Sequence, residues 1–225
     1  MNTPYETIKY KGHTIEIHLD PDPQNPRPEC DNLGTMVCGH QRYTLGDKHP
    51  YNLRNYNSWK EVIAAIENDE GCPIVALPLY LYDHSGLTIN TTGFNSIDSG
   101  KWDWGTLGFI YVSYKKAKKI YGWKQVNKKR LDLLKTYLTG EVECYDSYLT
   151  GDVYGFIVKS GTDEELDSCW GFIGDKSSCI EEAKGMVDCY VKDTLKKRIN
   201  KLKELIKAKA PIDKRISILS QFAII

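Results

Sequence analysis

The clearest periodicity in the chain lies near its start. In ETIKYKGHTIEIHLD, residues 6–20, apolar and polar positions alternate on both sides of Lys11-Gly12, a pattern that predicts two strands joined by a tight hairpin. Strand side chains alternate with period two, so Ile15, Ile17 and Leu19 are expected to face a core. Thr14, Glu16, His18 and Asp20 are then expected on an opposite face that meets solvent. Pro21, Pro23, Pro26 and Pro28 remove amide donors, and the strand is expected to end before them. GTMVC, 34–38, reads as the next strand.

Ser58-Trp59-Lys60-Glu61 has the form of a capping box, with Trp59, Val62, Ile63 and Ile66 at helical spacing and Gly71 as a stop. This predicts a helix over 58–69. PIVALPLYLY, 73–82, is apolar on both faces and predicts an interior strand in which Pro78 marks a bulge or an edge. LGFIYVS, 107–113, predicts a strand feeding a Lys-rich helix near 114–121. Asn127 is placed to cap a helix with a stripe of Leu131, Leu134, Tyr137 and Leu138. VYGFIVK and LDSCWGFIG flank the polar turn SGTDEE and predict a second hairpin. From Ser178 a helical pattern runs to Ala210-Pro211, with Val187, Val191, Leu195, Ile199, Leu202 and Ile206 along one side.

Strands interleaved with helices, without regular βαβ alternation, predict an α+β fold. Its sheet is expected to be mixed or antiparallel, with hairpins near both ends, packed helices and a long C-terminal amphipathic helix. The sequence contains neither GxGxxG after a strand nor GxxxxGK[ST], so the common phosphate-cradling loops are missing.

Charge changes this picture at one end. The 30 basic and 30 acidic residues balance overall, yet ten Lys or Arg stand against three acids between Lys192 and Arg215. An acidic body with a basic tail is the consequence, and the expected division is an α+β core over 1–190 and a basic helical extension over 191–225. Lys196, Lys197 and Arg198 are the extension's strongest basic cluster, fit for an acidic surface, RNA or a second protomer. Seven scattered cysteines without a CxxC pair read as reduced thiols. The N-terminal residues lack the pattern of an export signal, and no apolar run reaches membrane-spanning length. A cytoplasmic protein without membrane contact is expected.

Several groupings carry candidate chemistry. Glu16, His18 and Asp20, followed by Asp22, Glu29 and Asp31, concentrate oxygen ligands and an imidazole in a short span. His18 and Asp20 are catalytic candidates on this reading, and Asp20, Asp22 and Asp31 are candidate ligands for a divalent metal ion, the one cofactor considered. A polar outer strand face explains the same residues without chemistry. An EF-hand is ruled out because Asn25 stands where that loop needs glycine. Arg27 and Arg42 are placed to clamp a phosphate or to neutralise nearby acids. His40 and His84 are candidate acid-base groups; the run Asp83-His84-Ser85 fails as a triad because consecutive extended residues point to opposite sides. Trp102 and Trp104, in a glycine-rich polar stretch, are expected either to bind a base or a protein or to fold back on the core.

YKGHTIEIHLDPDPQNPR, CDNLGTMVCGHQRYTLGD, LPLYLYDHSG, GFIYVS, YLTGDVYGFIV and DSCWGF, taken in this order over residues 8–185, resemble a family of small uncharacterised proteins carried by bacteriophages and mobile elements. The resemblance implies an accessory gene product and no particular reaction. By analogy with such proteins, the chain is expected to bind and inhibit a host defence factor, a protein or ribonucleoprotein, in the manner of an anti-CRISPR or anti-restriction protein. The alternative is a metal-dependent phosphodiester hydrolase using His18, Asp20, Asp22 and Asp31, with Arg27 or Arg42 on the phosphate and His40 or His84 moving the proton.

Overall fold

The computed structural model of the protein describes residues 3–209, Pro211 and Lys214. Among these the chain forms two compact units, one from the residues up to Leu19 and those from Tyr154 onward, the other from Asp20–Val153. The fold is α+β, with the strands in two antiparallel sheets.

In the first unit β1 (Glu6–Tyr10) and β2 (His13–Leu19) form the predicted hairpin. Lys11 and Gly12 hold φ of 46° and 78°, the left-handed pair that a two-residue turn between twisted strands requires. β2 pairs next with β7 (Val153–Lys159), Ile17 opposite Phe156, and β8 (Glu165–Ile173) completes the sheet in the order β1-β2-β7-β8. One face of this sheet packs on helix α5 (Lys176–Lys209), burying Ile15, Ile17, Phe156 and Val158 against Cys179, Ala183 and Val187. Asp175 starts that helix by accepting the Ser178 amide at 2.9 Å. α5 runs without a break past residue 191, where the basic extension was expected to begin. Asp213, Arg215 and the other expected extension residues beyond Lys214 lie outside the described residues.

Expectations for β2 need correction: Thr14, expected on the face that meets solvent, is buried at 9% exposure, its hydroxyl covered by the Lys9 ammonium that donates to it. His18 is buried, at 8% exposure, and does not meet solvent, whereas Leu19, expected inside, is 47% exposed. The reason for the burial of His18 is Gly155, its cross-strand partner. Any Cβ on Gly155 would collide with the Trp170 indole of β8, so the glycine lets that ring lie across β7 with its centroid 6.1 Å from the His18 ring. Leu19 is the last residue of the strand, beyond the face that α5 covers.

The second unit is a three-layer sandwich. Its sheet has the order β3-β6-β4-β5, from β3 (Thr35–Cys38), β4 (Ile74–Asp83), β5 (Leu87–Asn90) and β6 (Trp104–Ser113). Helix α4 (Lys128–Thr150) covers one face through Leu134, Leu138, Val142 and Tyr145 against Met36, Leu79 and Ile110. Helix α2 (Trp59–Glu70) covers the other through Val62 and Ile66 against Val37 and Phe109. Both sheet faces are therefore covered, which is why β4 and β6 read as apolar runs without alternation. Ser58 caps α2 by accepting the Glu61 amide and Gly71 ends it at φ 64°, as predicted, but the Glu61 carboxylate accepts the Asn57 amide at 2.9 Å and not the Ser58 amide that a capping box would offer. Pro78 sits where β5 has not yet joined, since β5 pairs only with Tyr80–Asp83 of β4, and the register shifts between Leu79 and Tyr80. A missing amide costs nothing on that open edge. Helix α3 (Tyr114–Tyr121) follows β6, and a four-residue helix, α1 (Pro26–Glu29), interrupts the proline-rich stretch. Tyr137, placed by spacing on the buried stripe of α4, is 45% exposed and stacks on Tyr121.

Candidate functional site

At one end of the second unit's sheet, five of the candidate residues come together, His40, Arg42, His84, Trp102 and Trp104. The β4–β5 turn carries His84 and Ser85, and the chain from Phe94 to Asp103 folds back beside it before β6 begins. Asp98 organises that return: its carboxylate accepts the amides of Gly100 at 3.1 Å, Trp102 at 2.7 Å and Asp103 at 3.0 Å. These bonds, the Asp103 amide first, hold the carboxyl below its ordinary pKa. The Asp98 carbonyl also accepts the Trp104 indole N–H at 2.7 Å. The loop is thus fixed from inside by one aspartate.

His40, Arg42, Asp83, Trp102, Asp103 and Trp104 line the resulting cleft of about 350 Å³. The Arg42 guanidinium donates to Asp83 at 2.7 Å, and the Tyr43 hydroxyl lies 3.2 Å from the same carboxylate. The His40 ring stacks on Tyr43 with centroids 5.0 Å apart, and its Nδ1 accepts the Arg42 amide at 3.3 Å. That bond assigns the ring proton to Nε2. His84 Nδ1 is 2.9 Å from the Asp103 carboxylate. The Trp102 side chain, by contrast, is held by nothing but its neighbours and is 87% exposed, and the Arg42 side chain is 70% exposed. Lys101 lies over the Trp104 ring at 5.0 Å. Chemically the cleft presents an indole face, a guanidinium with N–H groups to spare and the His40 imidazole, with His84 held on Asp103 beside it. The cleft lining contains no cysteine, serine or lysine.

No family model, curated protein or solved structure matches this chain.

His40 also borders two larger clefts. One, of about 810 Å³, runs along Asn52–Trp59; the other, of about 760 Å³, holds Arg27, Cys38, Asp47, His49 and Tyr145 in its wall. Arg27 in that wall is a structural group, its side chain almost wholly buried. It donates to both Asp47 oxygens, to Glu141 at 3.0 Å and to the Gly34 carbonyl at 2.9 Å. Glu141 and Asp47 in turn accept the amides of Leu33 and Met36. Burial alone would lower the guanidinium pKa, but the two carboxylates hold it above its ordinary value. With four of its five N–H groups engaged in these bonds and its side chain buried, Arg27 neutralises acids. Burial, and next to it the Asp47 charge, pushes the Cys38 thiol up to about 12.

The remaining candidates are dispersed. His18 is in the first unit beside Glu16, at 3.5 Å, and its Nε2 makes no hydrogen bond. Asp20, Asp22 and Asp31 belong to the second unit. The Asp20 carboxylate accepts the Asp22 amide at 3.0 Å in a local turn, and Asp22 and Asp31 are exposed. Among the described residues no three His, Cys, Asp or Glu side chains form a group able to hold a metal ion. Lys196, Lys197 and Arg198 are exposed on α5. No helix among the described residues is long and apolar enough to cross a membrane.

Sequence reasoning passed over Asp98 and Asp103. The signal for Asp98 is present in retrospect as Asp-Ser-Gly ahead of a tryptophan, a residue order suited to a side chain that binds following amides. Asp103 carries no local signal, because its partner His84 is brought to it by the sheet.

Proposed function

We propose that the protein acts by binding a macromolecular partner through the rim of the Trp102 cleft. In the setting implied by the sequence resemblance, it is a phage or mobile-element accessory protein that blocks a host defence factor. The observation that supports this reading is the exposed Trp102 indole beside the exposed Arg42 guanidinium, on a loop made rigid by Asp98. Trp and Arg are the residue types that most often dominate interface energetics, and a preorganised loop spends little entropy on docking. A large indole standing in water on a rigid loop has a hydrophobic cost that a partner would relieve. The hydrolase alternative requires a metal-ligand set that the described carboxylates do not form.

The test is a pull-down from host lysate with wild type and with a Trp102→Ala/Arg42→Ala variant, paired with infection assays in cells carrying nuclease-based defences. Wild type is expected to capture a defence component and restore infection. The variant, unchanged in circular dichroism, is expected to lose at least about 2 kcal/mol of binding and the protection with it. A variant that captures the same partner and protects equally would refute the role of the rim.

A further inference from the structure

Helix α5 changes character along its length. Up to Val187 its apolar residues are buried on the first sheet, but from Lys192 to Lys209 none is buried, and Leu195 and Leu202 are 51% and 47% exposed. Leu195, Ile199, Leu202 and Ile206 follow one another at spacings of four, three and four. At 3.6 residues per turn they fall within about 60° of one another, a narrow seam of the kind that pairs with another helix. Lys196 and Lys203 border the seam on one side, and Arg198 and Leu205, the latter 43% exposed, on the other. The two acids of the segment, Asp193 and Glu204, fall on the far side of the helix. They pair there with Lys196 at 3.9 Å and Lys207 at 3.0 Å, exposed contacts that leave both seam borders net basic.

We propose that this half of α5 is a docking helix for an acidic amphipathic helix of a partner protein, one with a Leu/Ile seam bordered by Asp and Glu. The charge pattern selects this occupant. A second copy of α5, parallel or antiparallel, would bring basic border against basic border. A nucleic acid would satisfy the lysines and leave the leucines in water. The inference is independent of the Trp102 cleft, which lies in the other unit.

The experiment uses the full chain and a labelled four-heptad peptide with Leu and Ile at the seam and Glu at the bordering positions. A control peptide carries Lys at those positions. Fluorescence anisotropy is expected to show binding of the Glu peptide that weakens with added salt, and none of the Lys peptide. Leu195→Ala/Leu202→Ala is expected to weaken binding more than about tenfold. Lys196→Glu/Arg198→Glu/Lys203→Glu is expected to invert the preference between the peptides. None of these positions is buried, so circular dichroism is expected to be unchanged. Equal binding of both peptides, or failure of the Glu peptide to bind, would overturn the proposal. So would concentration-dependent self-association lost in the leucine variant, or preferential binding to anionic vesicles or to a single-stranded RNA oligonucleotide.

Discussion

Lys159 and Glu16 show how single side chains set the behaviour of the first sheet. The ammonium donates to the carboxylate at 2.8 Å. That bond holds the Glu16 pKa below 4.5 and, seen from the other side, the Lys159 pKa above 10.5. The Glu16 contribution to stability is complete above its unfolded pKa and is lost as pH falls through the lower folded value. The Lys159 contribution is complete below 10.5 and is lost as pH rises through the higher folded value. Lys159→Met is therefore expected to melt below wild type at neutral pH. The gap should narrow under acid, below about pH 4, and again under strong alkali. Calorimetry across pH checks this, and a gap that stays constant into acid would mean that the pair does not stabilise the fold. His18, two residues from Glu16, marks what sequence leaves out at this scale. Alternation correctly placed it opposite Ile15 and Ile17. It could not show that Trp170, far along the chain, lies over that second face because Gly155 has no side chain to block it. Arg27 is a similar case: its residue type fitted a phosphate clamp or the neutralising of acids, and only Asp47 and Glu141, distant in sequence, show which acids it neutralises and that it is a buried tie.

At the scale of elements, the sequence was legible wherever local signals agreed. Ser58 and Gly71 bound α2, Asn127 caps α4, and Pro78 falls beside the register shift of β4. β5 was not legible, since its four residues are too few for a periodicity and it exists only by pairing with the end of β4. α1 escaped for a related reason: the prolines that end β2 also start the helix, Asn25 capping it and Pro26 taking its first position. Trp104, placed in a loop, instead opens β6. Gly108 within β6 is required by the strand pairing itself, because a Cβ there would strike the Val37 carbonyl oxygen of β3. Gly108→Ala is expected to destabilise the protein by about 3 kcal/mol, with urea denaturation as the measurement. An unchanged midpoint would mean that β3 and β6 separate without cost.

At the scale of the whole molecule, the α+β class followed from element order, but the division into two units did not. Strands β2 and β7 pair although more than a hundred residues separate them, and nothing local announces a partner at that distance. The Asp20–Val153 unit holds both of its cores within itself, one on each face of its sheet. A polypeptide of residues 20–153 is expected to fold alone and unfold in a single cooperative transition; a broad, non-cooperative melt would contradict it. Its ends already meet, as the Asp20 amide donates to the Val153 carbonyl at 2.8 Å, one step beyond the Leu19 and Tyr154 rung of the other sheet. The chain thus departs and returns through a doorway one hydrogen bond wide. Such a doorway is a natural splice point, where a short reverse turn between Leu19 and Tyr154 would seal the host sheet, or a foreign module with equally close ends would take the vacated place.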